Sequence, residues 1–518
     1  MVKNGMKKVL ILLLVLLMLV PAVAACKKNT PDATDGGSDV AGGSETETDK
    51  YAVGDNIGDI DLGARAIKIA QPGQTNYMSE VKVERLTGDV VSDAIFKRNA
   101  AVEKRLNCKI DNVVKTSAYQ INEALEKDVM NGIDPGFELI LGTSYIVTQP
   151  YTKGVYVDLN EVKNLDLSQP YWSQLINETC EIGGVQYLAT GAVSLTYYKC
   201  THVNVLNERI LGETTGEVPD VIGMVKDGKW TIENTTALAK QYYVDYGDPG
   251  RSDDDISGYI TDTSMSVDAY LSSGQIQILK KGEDGYYSYQ FDNVRAQEVL
   301  DDLAVLFGDD AIDCNFPDAI NDKIKKFASG GALMAGLDLI DLETQSIKDM
   351  EDDYVILPTA KWSEDQDYYS GITDTFSLMG MVATVTGDEV GEVGAFMEVL
   401  ASESYSIVTK SYFETVLRGR YSENNDRWEI LEMITDNVTM DASQLFTITL
   451  QFPELESSGQ TARETTTKLW RYSVLMAYKK TPKSIDTVFT NAVGTVMEEK
   501  LNGTNGLQTY IRAQLANG

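Results

Sequence analysis

The amino-acid sequence predicts an α/β protein with two lobes, and three observations lead to this prediction. The chain has 518 residues, of which 43% are hydrophobic, and this is more than one small core needs. Short apolar runs alternate with stretches of helical periodicity along most of the length. Such alternation favours mostly parallel sheets covered by helices, which bind ligands at the carboxyl ends of their strands.

The apolar patterns place the main elements. Four runs predict strands: Ile67 with Ile69, Phe137–Leu141, Tyr354–Leu357 and Met379–Val385. Two stretches have apolar residues on one helical face: Ile95, Val102 and Leu106 behind a Ser92 N-cap, then Val393, Phe396, Val399 and Leu400. We therefore expect the binding site on loops that follow strands.

The charge balance excludes several classes of function. The chain has 45 Lys and Arg against 78 Asp and Glu, and a net charge of -33 repels nucleic acid and anionic lipid. A single histidine, His202, gives no His pair for zinc and one candidate base for a nucleophile. We expect no metal or cofactor, although glycoside hydrolysis by two carboxylates stays compatible with the composition.

The first residues predict export. Lysines precede an unbroken apolar run of 12 residues, Val9–Val20. That length is typical of a signal peptide and is short of the roughly 20 residues that a membrane-spanning helix needs. We therefore predict that residues 1–25 are a signal peptide.

The segment after the apolar run resembles the lipobox of bacterial lipoproteins. It reads Val23-Ala24-Ala25-Cys26, and the resemblance implies cleavage before Cys26 and attachment of diacylglycerol and a further acyl chain such as palmitate there. Ordinary signal cleavage with an incidental cysteine is the alternative. Residues 26–56 are predicted to be a flexible tether, because 27–50 contain no aromatic residue. The predicted location is the extracytoplasmic face of the cell membrane, through a lipid anchor.

Two further patterns predict no function. Outside the cytoplasm, the remaining cysteines could form two disulfides or stay free: Cys108, Cys180, Cys200 and Cys314. The run Asp253–Gly258 matches the first half of a calcium-binding loop, but Ser264 stands where a bidentate glutamate is required. We therefore predict no calcium site.

Several segments resemble, in order and spacing, the sugar-binding type of bacterial extracellular solute-binding proteins, the maltose-binding-protein-like family. The resemblance extends from about Gly58 to the C-terminus. The segments are Phe137–Ser144, Tyr171-Trp172, Gly183–Gly191, Leu195–Tyr198, Asp227–Glu233, Phe327–Met334 and Tyr354–Thr359.

This resemblance implies a two-lobed periplasmic-binding-protein-like (type II) fold with hinge-linked lobes. Lobe one would comprise 57–165 plus 352–403, and lobe two 166–351 plus 404–518. It also implies a monomeric, non-enzymatic solute-binding component of an ABC importer, with permease subunits as partners. A secreted carbohydrate-active enzyme and a ligand sensor that signals to a membrane kinase are the alternatives.

The predicted ligand is a neutral oligosaccharide. Amino acids and peptides rank second, because Lys361 is the only cation among the candidate loops. A sugar site needs aromatic faces and paired hydrogen-bonding groups. The candidates are Thr143, Ser144, Tyr145, Tyr171, Trp172, Asp338, Asp341, Trp362 and Tyr369, with Ser194 added by the resemblance.

Each group of candidates also has a structural interpretation. Thr143–Tyr145 are compatible with a plain loop, and Trp172 with a core anchor between lobes. The two aspartates, Asp338 and Asp341, are compatible with helix caps. The acidic loop around Trp362 is compatible with a solvated surface.

Overall fold

The computed structural model describes residues 49–73, 80–213, 216–247, 254–262, 265–290, 293–314, 321–366, 371, 376–418, 425–446, 494–504 and 506–517. Over these ranges the chain forms a four-stranded sheet, a five-stranded sheet and a two-stranded hairpin. Helices lie between the strands, and all of these elements belong to one compact unit, Lys50–Gly518. The predicted α/β class is confirmed.

The described strands are β1 (Ala66–Pro72), β2 (Lys109–Lys115), β3 (Leu139–Thr143), β4 (His202–Asn207), β5 (Ser257–Ile260), β6 (Leu279–Lys281), β7 (Tyr287–Tyr289), β8 (Ile312–Asp313), β9 (Ala332–Asp338), β10 (Tyr354–Pro358) and β11 (Ser377–Met381). The described α-helices are α1 (Val90–Leu106), α2 (Ala118–Lys127), α3 (Ser144–Val147), α4 (Gln174–Cys180), α5 (Leu195–Lys199), α6 (Glu208–Gly212), α7 (Val221–Lys226), α8 (Ile232–Tyr242), α9 (Met265–Ser273), α10 (Asn293–Gly308), α11 (Asn321–Ala328), α12 (Gln345–Lys348), α13 (Asp388–Glu403), α14 (Asn425–Asp436), α15 (Ala442–Leu445), α16 (Gly494–Asn502) and α17 (Leu507–Asn517). Two π-helical turns, Ser404–Thr409 and Tyr412–Leu417, follow α13.

The first sheet has the strand order β11-β3-β1-β2. Strands β1, β2 and β3 are parallel, while β11 is antiparallel to β3. Buried parallel strands are rich in apolar residues on both faces, and Ile67, Ile69 and Ala70 of β1 are fully buried. The carboxyl ends of the three parallel strands therefore meet at one edge.

Helix α1 covers this sheet and buries the predicted apolar face, including Ile95 and Leu106. The predicted N-cap, Ser92, is wrong. Asp89 is the cap, because its carboxylate accepts the backbone N–H of Ser92 at 2.8 Å. Ser92 lies inside the first turn of the helix, three residues after the N-cap.

The second sheet has the order β10-β4-β9-β5-β8. Its packing is close: a Cβ atom on Gly258 of β5 would lie 1.9 Å from the Ala239 carbonyl oxygen of α8. Strand β10 pairs antiparallel with β4 along its whole length, from Tyr354 opposite Asn207 to Pro358 opposite Val203. It therefore lies in the second sheet, although residues 352–403 are predicted for lobe one.

The segment before the first crossing lies on the other side from its predicted place. The amide and carbonyl groups of Ala189 exchange hydrogen bonds of 2.9 and 2.8 Å with Met379 of β11. Residues around Ala189 thus extend the first sheet, although 166–351 are predicted for lobe two. The chain passes from the first sheet to the second through α5, which leads directly into β4.

Within the described residues, no helix combines the length and apolar character that a bilayer-spanning helix needs. The predicted signal peptide, Cys26 and residues 27–48 of the predicted tether lie outside those residues. The end of the predicted tether, 49–56, is described, and it packs on the folded unit instead of being flexible: Tyr51 is buried, and the Val53 carbonyl accepts the Ser402 hydroxyl at 2.9 Å.

Candidate functional site

The carboxyl edge of the first sheet presents an aromatic and a polar surface. Helix α2 begins just after β2, and its second residue, Tyr119, has 52% of its surface exposed. Helix α3 begins just after β3 with Ser144, followed by the half-buried Tyr145. The two helices are joined because the Asn122 amide donates to the Ile146 carbonyl at 2.7 Å. Two tyrosines therefore stand at the starts of neighbouring helices on one edge.

The predicted residues at the end of β3 divide into two kinds. Thr143 and Tyr145 are half-buried, so part of each side chain is accessible. Ser144 is buried, and its backbone N–H donates to the Phe376 carbonyl at 2.8 Å. Thr143 lies opposite Ser377 in the register of β3 and β11. The edge thus offers hydroxyl groups from two adjacent strands.

Ser194 joins this edge through a cluster of hydroxyl groups. Its Oγ lies 2.8 Å from Thr196 Oγ1, and the Ser377 N–H donates to these two oxygens at 3.2 and 3.1 Å. The structure therefore brings predicted Ser194 close to predicted Thr143 through β11.

A buried carboxylate completes the cluster. Glu80 Oε1 accepts the backbone N–H of Thr196, near the start of α5, at 2.7 Å. Burial raises the pKa of the Glu80 carboxyl, while hydrogen bonds from Thr196 and Ser377 oppose the shift. Arg98 Nη2 holds the same segment by donating to the carbonyls of Glu80 and Val81, both at 2.8 Å. Glu80 therefore links the first lobe to the crossing helix.

The corresponding edge of the second sheet is polar and buried. His202 begins β4, and its Nδ1 and Nε2 lie 2.9 Å from Thr359 Oγ1 and 3.1 Å from Ser266 Oγ. Lys323 Nζ donates to Asp262 Oδ2 at 2.6 Å. Burial, and then the positive charge of Lys323, lowers the pKa of His202 to about 3, so the imidazole is neutral. The carboxyl edge of the second sheet is therefore a network of buried, hydrogen-bonded polar side chains.

Asp338 and Asp341 lie at the same edge and act as caps. They belong to the turn between β9 and the 3₁₀ helix Leu339–Glu343, where Asp341 Oδ2 accepts the Asp338 N–H at 2.9 Å. Burial raises the pKa of the Asp341 carboxyl. Their structural interpretation therefore describes this conformation, and ligand contact by either stays a prediction.

Tyr171 and Trp172 are buried in the first lobe. The Tyr171 hydroxyl donates to Glu398 Oε1, and the Trp172 indole N–H donates to Glu398 Oε2 at 3.3 Å. Both rings are nearly fully covered. In this conformation the pair anchors the segment to α13, and a ligand role would require the rings to become uncovered.

Trp362 packs against the second lobe. Its indole N–H donates to Asp302 of α10 at 3.1 Å, and the guanidinium of Arg295 lies 5.1 Å from the ring centroid. The half-buried Trp362 ring therefore already stacks with the Arg295 guanidinium in this conformation. Tyr369, the other aromatic candidate of this loop, lies outside the described residues.

Other predictions from single residue types have mixed outcomes. All four described cysteines are free thiols, and three of them are buried. Among the described residues, no three His, Cys, Asp or Glu side chains are grouped to hold a metal. Asp253, the first residue of the calcium-like run, and Ser264, which stands at the position of the required glutamate, lie outside the described residues.

Two residues at this site, Tyr119 and Glu80, are not among the residues predicted from the sequence. The signal for Tyr119 was a strand with modest alternation, Lys109–Lys115, followed by Ser117. No local pattern marks Glu80, whose partners Arg98 and Thr196 come from other elements.

Two lobes, each built on a mixed sheet with a polar edge, and a crossing helix define the class as a two-lobed type II periplasmic-binding-protein-like fold. No family model matches the sequence, and no curated protein matches it. A solved structure with this fold is that of a cyclo/maltodextrin-binding protein in complex with maltotetraose, with a TM-score of 0.54 and 12% identity. The match covers 87% of this chain and 99% of that chain.

A second match is an ABC substrate-binding protein from Listeria monocytogenes in complex with cycloalternan. Its TM-score is 0.46 and its identity 14%, over 80% of this chain and 99% of that chain. At 12% identity the first match shows the fold alone, and it confirms the predicted type II architecture. Both matched proteins are binding proteins by description.

Proposed function

We propose that this protein is the lipid-anchored, extracellular solute-binding component of an ABC importer, and that it binds a neutral oligosaccharide between its two lobes. The observation that carries the proposal is that exposed Tyr119 and half-buried Tyr145 stand at the starts of two neighbouring helices at the carboxyl edge of the first sheet. Aromatic faces stack on the C–H patches of sugars, and hydroxyls beside them supply paired hydrogen bonds. The matched fold also occurs in a protein that holds maltotetraose.

The cations near the site support a neutral ligand. Lys361 Nζ donates to the Glu364 and Gln366 carbonyls at 3.1 and 2.9 Å. Lys323 is paired with Asp262. A carboxylate or phosphate ligand would have to break such pairs in a chain of net charge -33.

The ligand class is tested by a thermal-shift panel of neutral oligosaccharides, amino acids, peptides and polyamines, with maltotetraose as the first probe. A ligand at 100 times its dissociation constant adds about 2.7 kcal/mol to stability. A response to amino acids without any response to oligosaccharides would contradict the proposal. Turnover of a chromogenic glycoside would favour the enzyme alternative.

Tyr119→Ala is expected to weaken binding of the best saccharide. Loss of one stacking face removes about 1 to 2 kcal/mol, or roughly 5- to 30-fold in affinity, because aromatic contacts contribute on this scale. Titration calorimetry measures the change. Tyr246→Ala is the matched control, because Tyr246 is 65% exposed and belongs to the loop after α8. Equal affinities for both variants would remove Tyr119 from the site.

The anchor is tested at Cys26. Cys26→Ala is expected to release the protein from the membrane into the medium, since a lipid chain could no longer be attached. Cell fractionation and immunoblotting measure the distribution. Cys314→Ala, which removes a half-buried thiol of the folded body, is the control and should stay membrane-associated. Unchanged membrane association of Cys26→Ala would contradict the anchor.

A further inference from the structure

The folded unit begins with a short segment, Lys50–Val53, which we call the strap. Tyr51 is buried, and the Val53 carbonyl accepts the Ser402 hydroxyl of α13 at 2.9 Å. The strap is therefore held in place by its own side chains and backbone. Its contacts reach elements of both lobes.

On one side the strap contacts the second lobe through α14. That helix packs against β10 and α7, and the guanidinium of Arg427 pairs with both carboxylate oxygens of Glu208. Lys50 Nζ forms an ion pair with Glu432 of α14. It also lies 5.9 Å from the ring centroid of Trp428 on the same helix. Lys50 therefore binds the strap to the second lobe.

On the other side the strap contacts the first lobe. The Tyr51 ring lies 5.1 Å from that of Tyr405, in the π-helical turn that follows α13 and packs on α1. Further along, Asp55 accepts two hydrogen bonds from the Arg105 guanidinium of α1, at 2.8 and 3.2 Å. The strap, through Tyr51, and the residues after it, through Asp55, are thus fixed to the first lobe.

The crossing helix α5 packs into the aromatic group beside the strap. Tyr198 of α5 lies 5.1 Å from Phe413, ring to ring, and Phe413 lies 6.2 Å from Trp428. Trp428 is the residue over which Lys50 sits. The strap therefore lies beside a point where the chain passes between lobes.

We propose that the strap is a hinge brace: it joins α14 of the second lobe to the α13 region of the first and restricts the opening of the lobes. The inference rests on the proposed function only in assuming that the lobes move about their crossing segments.

The test uses charge reversal in the full chain. Lys50→Glu places a negative charge beside Glu432 and is expected to speed hydrogen exchange in α5 and α14 by about two- to fivefold, the scale of an exposed ion pair. X-ray scattering of the protein without ligand should show a larger radius. The swapped variant Lys50→Glu with Glu432→Lys should restore both measurements.

Lys153→Glu is the matched control. Lys153 pairs with Glu126 at 2.6 Å within the first lobe, and the side-chain exposures of 38% and 41% resemble the 43% and 28% of Lys50 and Glu432. It should leave exchange in α5 and α14 unchanged. Equal exchange in the two single variants, or failure of the swap to restore it, would overturn the brace.

The exchange measurement needs no ligand, so it separates the brace from the proposed function. If Lys50→Glu does not change hydrogen exchange in α5 and α14 but maltotetraose still raises the thermal stability, the brace is contradicted and the proposed function is supported. Absence of any saccharide response, together with the expected exchange pattern, would contradict the function and support the brace.

Discussion

Replacing Glu398 with alanine is expected to lower the free energy of unfolding by about 3 to 4 kcal/mol, because two buried donors lose their acceptor. Glu398 is buried on α13 and accepts the Tyr171 hydroxyl and the Trp172 indole N–H. It also accepts the backbone N–H of Asp166 at 3.1 Å. Burial raises the pKa of its carboxyl, and these hydrogen bonds oppose the shift.

Urea unfolding measures the loss against a control on the same helix. Glu389→Ala removes a carboxylate that is 57% exposed and lies 3.5 Å from Arg65, so a change within about 0.5 kcal/mol is expected. Glu398→Gln keeps the length and one acceptor oxygen, and should fall between the two. A loss for Glu398→Ala no larger than that of Glu389→Ala would show that the Tyr171–Trp172 segment is anchored by packing alone.

The buried strands could be predicted because their sequences are apolar on both faces. The run Tyr354–Leu357 lies within β10, and the run Phe137–Leu141 overlaps β3 at Leu139–Leu141. The assignment of β10 to a sheet could not be predicted, since its partner β4 lies some 150 positions earlier and local pattern carries no pairing information. The same reason explains why residues around Ala189 were assigned to the wrong side of the crossing.

The candidate site was predictable where a strand end was recognised. Thr143 and Tyr145 follow a clear apolar strand, so their place at the sheet edge followed from the sequence. Tyr119 was missed because β2 is an edge strand rich in polar residues, and its weak alternation was not recognised as a strand. Trp172 was ambiguous because the carboxylate that binds it, Glu398, is distant in sequence.

His202 is expected to make the protein less stable as the pH falls below about 6.5, the ordinary value for an exposed imidazole. Burial lowers the pKa of His202 to about 3 in the folded state. Below about pH 6.5 the unfolded chain therefore binds a proton that the folded chain does not. The free energy of unfolding then falls by about 1.4 kcal/mol per pH unit until the folded-state pKa is reached.

Between about pH 7.5 and 5, this proton uptake amounts to about 2 kcal/mol. Because the sequence has one histidine, comparison with His202→Gln isolates the effect, while the carboxyl groups titrate in both proteins. Chemical unfolding at the two pH values should show the stability difference between the proteins shifting by about 2 kcal/mol in favour of the variant at the lower pH. The imidazole NMR signals of the folded wild type should stay those of the neutral ring at pH 5. Titration of the His202 ring near pH 6.5 would show instead that water reaches the imidazole in the folded protein.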